Sequence, residues 1–429
     1  MSTPLKIAVA GLGTVGAGTL KLLAENADIL RMRCGRAIDV VAVSARERGK
    51  DRGVDLSGVK WVDDPLALLD CGADVIVELM GGSEGAARAL VEGALAKGTH
   101  VVSANKALIA HHGLALAKLA EDNHAVLAFE AAVAGGIPII QSLRDGLGAN
   151  RFSRIAGILN GTGNYILTTM QKQGRDFDDV LAEAQALGYA EADPSFDVDG
   201  IDAAHKLAIL TSLAYGVPVD IASVHIEGIR SISAADITHA RELGYRIKLL
   251  GITEMTSAGV LQRVHPCLVR EAAPIAAIDG AFNAIHLEGN AVGRVLLEGA
   301  GAGAGPTASS VVADILQIAR GAHYYPFTVK SSDMKAVKHA AIADMTSRYY
   351  LRLSVKDEPG VLAQITAIFA KAGISVQSLI QHDHTPDTPA RIVMTTHDTK
   401  ESAMQQALQQ IASLATVLEA PQMIRMESL

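Results

Sequence analysis

A chain of 429 residues with 49% apolar and 20% charged positions is long enough for two or three domains, each with a sizeable core. Its formal net charge of −8, with no run of lysine and arginine, argues against a nucleic-acid surface. No uninterrupted apolar stretch reaches membrane-spanning length, and Cys34, Cys71 and Cys267 lie too far apart for a disulfide framework or a zinc site.

The N-terminus "MSTPLKIAVAGLG" meets a glycine motif too soon for a signal peptide with its own cleavage site, so a cytoplasmic location is expected. An apolar strand is followed by G-x-G-x-x-G at Gly11, Gly13 and Gly16 and then by a helix-like pattern. In that context the glycines allow a tight turn and close backbone approach. Helix-start amides around Thr14 and Val15 can hold a pyrophosphate. The strand-like runs 38–43, 74–79, 100–104 and 125–129 alternate with helical stretches such as "EGAARALVEGALAKG". They predict an α/β fold with a Rossmann-type, doubly wound parallel sheet. Ligands of such sheets sit at the carboxyl ends of the strands, which places "ELMGG" (78–82) and "SANK" (103–106) beside the cofactor. The second strand runs into Ser44, Arg46, Arg48 and Lys50 rather than into a carboxylate. That favours the 2′-phosphate of NADP(H), with NAD(H) still open. Arg48 and Lys50 are equally at home in an exposed charged loop.

From about residue 150 the pattern changes. "RFSRIAGILNGTGNYILTTM" reads as strand, glycine turn and helix, with Asn160, Thr162 and Asn164 as neutral polar groups. An acidic amphipathic helix leads into "DPSFDVDGIDAAHK" (193–206), four aspartates ahead of a single lysine. If 201–213 is a helix, Asp202 lies one turn before Lys206 on the same face and can orient its ammonium, whereas His205 faces elsewhere and reads as structural. "GAGAGPTASSVVADI" reads as a loop feeding a helix N-terminus near Gly305 and Pro306. The last segment, 349–429, looks self-contained. Its β-α-β-β-α-β order predicts a ferredoxin-like domain, and "HDHTPDTPA", with His382 and His384, reads as a hairpin loop.

The strings "GLGTVG", "SANKAL", "EAAVAGGIPII", "GILNGTGNYIL", "GYAEADPSFDVDGIDAAHK" and "GAGAGPTASSVVADI", in this order, resemble bacterial homoserine dehydrogenase of the three-domain type, and "KDEPGVLAQI" with "AGISV" resembles the start of an ACT domain. The resemblance covers essentially the whole chain. It implies a Rossmann nucleotide domain over 1–140, completed by about 300–340. An α+β catalytic and dimerisation domain follows over 141–345, and an ACT regulatory domain over 349–429. The implied activity is reduction of L-aspartate 4-semialdehyde to L-homoserine with NAD(P)H, on the path to threonine and methionine. Nothing kinase-like precedes these segments, as in the monofunctional form.

The resemblance also implies roles for individual residues. Lys206 matches the proton donor to the aldehyde oxygen, oriented by Asp202, with Lys106 as the second lysine of the site. Glu191 matches the glutamate that pairs with the substrate ammonium. Asp199 joins the substrate set, while Asp193 and Asp197 are expected at the surface or in turns. Ser103, Lys106 and Gly305 are expected at the cofactor with the glycine-rich turn and Arg46. Glu130, with the carbonyls of Val133, Gly135 and Ile137, resembles a sodium site of hard oxygen ligands. L-threonine is the expected effector, held near Gly360 and 372–375, and the assembly is expected to be a homodimer or homotetramer.

Three other functions compete. A phosphorylating semialdehyde dehydrogenase needs an activated thiolate, and none of the three cysteines has a recognisable partner. A 2-hydroxy acid dehydrogenase needs a catalytic histidine with an acidic partner. A catalytically silent amino-acid sensor has no use for Glu191, Asp202, Lys206 and Lys106 together.

Overall fold

A computed structural model describes residues 3–381 and 389–429; His382 and His384 lie outside the described residues. The first sheet contains β1 (Leu5–Ala10), β2 (Ile38–Ser44), β3 (Lys60–Val62), β4 (Val75–Glu78), β5 (His100–Ser103) and β6 (Leu127–Ala128). All neighbours pair in parallel, in the order β3-β2-β1-β4-β5-β6, which is the doubly wound dinucleotide-binding order. The inner strands are buried on both faces, as their unbroken apolar runs require. The chain reverses direction across the sheet between β1 and β4, so the crevice for a ligand opens above those two strand ends.

The helix Ala304–Ala319 returns to this sheet late in the sequence. Val311, Val312, Ile315 and Ile318 join the core formed by β1, β4 and the helix Thr14–Glu25. Gly18 lets the two helices touch: a Cβ there would lie 2.7 Å from the carbonyl oxygen of Ala304.

The second sheet is built from β7 (Phe152–Ile158), β8 (His225–Ile226), β9 (Tyr245–Thr256), β10 (Gly259–Arg270), β11 (Phe282–Gly289) and β12 (Gly293–Ala300), and then from the C-terminal strands β13 (Thr346–Val355), β14 (Val376–Gln381), β15 (Ala390–Thr396), β16 (Thr399–Lys400) and β17 (Gln422–Glu427). Its main order is β12-β11-β7-β9-β10-β17-β13-β15-β14. The C-terminal segment has the expected βαββαβ order and its own apolar core. Its self-contained appearance in the sequence is corrected by one pairing. β17 runs parallel to β10, with Cys267 opposite Arg425 and Val269 opposite Glu427, so the two domains share one sheet. Among the described residues, no helix is long and apolar enough to cross a membrane.

The helix Ile201–Tyr215 packs against β7, β9 and β10 and is buried along nearly its whole length. It carries Asp202 and Lys206 and aims them at the nucleotide sheet.

Candidate active site

A cavity of about 570 Å³ lies where the two sheets meet, lined among others by Val15, Lys106, Asn160, Glu191, Asp202 and Lys206. Lys106 comes from the start of the helix Lys106–Asp122, whose first turn is capped by the Asn105 side chain. Lys206 and Asp202 come from the helix of the second domain.

The lysines converge on one carboxylate. Lys206 Nζ donates to Asp202 Oδ2 at 2.7 Å and to the Leu159 carbonyl at 2.7 Å, while Lys106 Nζ lies 3.0 Å from Asp202 Oδ1. Burial raises the Asp202 pKa, but the charges of Lys206 and Lys106 outweigh it and hold the carboxyl well below the usual range. For Lys206, burial pulls the pKa down, Asp202 opposes that, and the Lys106 charge adds to it. Two ammonium groups meet at one carboxylate, which concentrates positive charge at that point of a wall that also carries Asp197 and Glu191. That is the environment a developing alkoxide needs, with a lysine whose lowered pKa eases release of its proton.

Asn160 ties this centre to the loop before it. Its side-chain amide donates to Asp202 Oδ2 at 2.9 Å and to Asp197 Oδ1 at 2.8 Å, while its oxygen caps the helix Gly161–Gln173. Asp197, expected at the surface or in a turn, therefore lines the cavity, and burial raises its pKa. Asp199, expected at the substrate, points the other way. Its carboxylate pairs with Arg230 at 2.5 Å, and it is absent from the cavity wall. The partners separate them: Asn160 holds Asp197 toward the cavity and Arg230 holds Asp199 away from it. Asp193 caps the turn at Ser195 from an exposed position. Glu191 is exposed on the loop that rims the cavity. His205 Nδ1 donates to the Ile201 carbonyl at 2.9 Å, its Nε2 lies 3.4 Å from His111 Nε2, and its ring packs beside Phe196.

The glycine-rich turn closes the opposite side. Gly11 has φ +96°, and a Cβ there would lie 2.5 Å from the Leu79 carbonyl oxygen; at Gly16 it would lie 2.0 Å from that of Gly11. At Gly13 nothing lies within 4 Å, leaving the start of the helix carrying Thr14 and Val15 open to a diphosphate. Gly301, Ala302, Gly303 and Thr307 line the cavity, while Gly305 sits beside it in the first turn of its helix and is not part of the wall. Ser103 is fully buried. Its hydroxyl donates to Glu78 at 2.7 Å and accepts from the Asn105 amide, so it holds the "ELMGG" and "SANK" loops together from beneath. Arg46 is exposed in the loop after β2. Arg52, which the sequence did not single out, braces that loop: it donates to the carbonyls of Leu12 and Glu47 and lies over the Trp61 ring.

Behind the cavity, Glu130 is buried with both carboxylate oxygens accepting backbone N–H groups, from Ile140 and Gln141 at 2.8 Å. Burial and the neighbouring Asp314 push its pKa up to about 8. Asp314 itself is pushed up to about 6 by burial. The intervening turn has two consecutive left-handed residues, Ala134 at φ +57° and Gly135 at φ +54°, an uncommon conformation for alanine. The Gly135 carbonyl accepts from Ser310 at 2.6 Å and that of Ile137 from the Ile139 amide. Buried carboxylates with raised pKa values, beside carbonyls in a turn of this kind, are a donor set suited to a hard monovalent cation.

Family models cover most of the chain: "Homoserine dehydrogenase, NAD binding domain" over residues 11–130, "Homoserine dehydrogenase" over 138–316 and "ACT domain" over 349–416. A homoserine dehydrogenase of Neisseria gonorrhoeae is 46% identical over 433 residues, covering 99% of each chain. The chain belongs to the homoserine dehydrogenase family. A crystal structure of a homoserine dehydrogenase from Thiobacillus denitrificans superposes with a TM-score of 0.94 at 43% identity, over 100% of this chain and 99% of that one. A hyperthermophilic archaeal homoserine dehydrogenase solved with NADPH has a TM-score of 0.64 at 28% identity, over 76% of this chain and all of the other. The sequence reading has Asn160 only as a neutral polar group and Asp197 at the surface or in a turn, and it does not single out Arg52. Asn160 had a usable signal, since Asn before "GTGN" at a strand end is a helix cap; the other two depend on packing.

Proposed function

We propose that this chain, an NAD(P)-dependent oxidoreductase of the homoserine dehydrogenase type, reduces L-aspartate 4-semialdehyde to L-homoserine with Lys206 as the proton donor. The observation that carries the reading is Asp202 bound to both lysines at 2.7 and 3.0 Å. A bound reduced nicotinamide supplies the hydride. As the aldehyde oxygen gains negative charge, Lys206 gives it a proton, and Asp202 keeps the Nζ aimed at the cavity. Lys106 contributes positive charge to the same oxygen and borders the nicotinamide position. Glu191 pairs with the substrate ammonium, and Asp197, through Asn160, shapes the polar side of the cavity.

Gly11, Gly13, Gly16, Thr14 and Val15 hold the diphosphate. NADP(H) is the preferred cofactor, with Arg46 reading the 2′-phosphate on a loop braced by Arg52; the archaeal relative carrying NADPH supports this choice. Glu130 and the carbonyls of Val133, Gly135 and Ile137 hold Na+, whose charge offsets the buried carboxylates. The C-terminal domain is regulatory. Gly360, at φ +94° before the helix Val361–Ala372, and 372–375 contact L-threonine, and the enzyme works in the cytoplasm as a homodimer or homotetramer. The deciding measurement is absorbance at the reduced-nicotinamide band with homoserine and each oxidised cofactor in turn. No reduction of either cofactor sinks the enzyme reading in favour of a silent sensor.

A further inference from the structure

We infer that Arg425, in the last strand of the C-terminal domain, is a positioning residue for the substrate loop, acting through Glu227. Arg425 is 1% exposed. Its guanidinium donates to both Glu227 oxygens, at 2.7 and 2.8 Å, and on its other side to Glu401. A fork held this way sets the direction of the Glu227 side chain as well as its charge.

The segment that follows Glu227 is what holds the loop. Gly228 packs so closely on it that a Cβ would lie 2.4 Å from the Val198 carbonyl oxygen. The Ile229 amide donates to that same carbonyl at 2.9 Å, and Arg230 donates to Asp199 at 2.5 Å and to the Ser195 hydroxyl at 3.1 Å. The loop so gripped carries Asp197 into the cavity and ends at Gly200, the residue before the helix of Asp202 and Lys206. Gly200 in turn rests on Ile226 and on Val264 of β10. One side of the substrate cavity is thus clamped by a residue of the regulatory domain, and no described residue of 195–200 bonds to that domain directly.

The inference rests on the catalytic reading of Asp202 and Lys206, so Lys206→Ala is assayed in parallel. Glu227→Gln keeps the side-chain shape at a part-exposed position and removes the charge. It is expected to raise KM for homoserine roughly fivefold or more, while kcat and the dissociation constant of the nicotinamide cofactor stay within about twofold. Arg425→Lys is expected to do the same, and Glu227→Gln combined with Arg230→Gln should raise KM by less than the product of the single effects. A wild-type KM in Glu227→Gln, or fully multiplicative KM effects in the pair, overturns the relay; a lowered melting temperature with unchanged KM assigns Glu227 to stability alone. If Arg425→Lys does not yield folded protein, the Glu227 and Arg230 variants decide. An active Lys206→Ala enzyme would instead overturn the catalytic reading, a separate result.

Discussion

Lys206 Nζ sits 2.7 Å from Asp202 Oδ2, one turn back on the same buried helix, and that carboxylate is shared with Lys106. The contact gives the proposed proton donor a fixed direction, while burial, against the pull of Asp202, lowers its pKa. Lys206→Ala is therefore expected to lose roughly 10²–10⁴-fold in kcat, the usual worth of general acid–base help. Cofactor affinity, measured by fluorescence titration, should be unchanged. Near-normal turnover would remove Lys206 from the chemistry.

The pH dependence follows from the same contact. With Lys206 as the proposed proton donor, reduction needs it protonated and its rate falls as pH rises through the lysine's pKa, while oxidation of homoserine needs it neutral and rises over the same interval. Because burial dominates the shift, that interval lies below the ordinary lysine value of 10.5. Opposite limbs in the two directions are expected, and parallel profiles would assign the titration to another group.

Asp202→Asn removes the carboxylate that both ammonium groups share and leaves the more distant Asp197 as their remaining acid. Removing one partner of a buried ion pair typically costs about 3–5 kcal/mol. The variant should lose activity and melt lower, and mutation of Lys106 in the same background should recover part of the stability. No recovery would mean that the two lysines do not repel through this site.

Glu130 predicts a cation effect with a definite sign. Its folded pKa of about 8 is above the ordinary carboxyl value of 4.5. Its contribution to stability is therefore complete below 4.5 and is lost as pH climbs through 8. Sodium at the site would offset that loss. The melting temperature in NaCl should exceed that in tetramethylammonium chloride at equal ionic strength, more at pH 9 than at pH 5. Equal melting curves in the two salts would reject a sodium site.

The shared sheet changes what truncation should do. Ending the chain at Arg348 strips β17 from β10 and leaves Arg263, buried against Glu427, and Glu227 without their C-terminal partners. The truncated protein is expected to be insoluble or strongly destabilised, so threonine regulation has to be tested on the full chain. A flat rate during titration with L-threonine, at substrate near KM, would reject threonine as effector. A soluble, active truncated enzyme would show that the β10–β17 junction is dispensable.

Some of this protein was determined by the sequence alone because the interactions are local. The steric demand at Gly16 arises within one turn, against the Gly11 carbonyl, and the Asp202–Lys206 contact follows from helical spacing. The βαββαβ order of the C-terminal segment follows in the same way from hydrophobic period and turn residues. The tertiary structure decided the rest. Lys106 reaches Asp202 only because the helix of one domain is packed against the strand ends of the other. Asp197 and Asp199 are chemically identical and nearly adjacent, and Asn160 and Arg230, both distant in sequence, separate cavity from surface. The joining of β17 to β10 has no signature in either strand, because backbone hydrogen bonds are indifferent to side-chain identity. The pairing is reinforced by ion pairs that cross it, Arg425 with Glu227 and Arg263 with Glu427, beside the partners Glu401 and Glu254 that the two arginines have within their own domains.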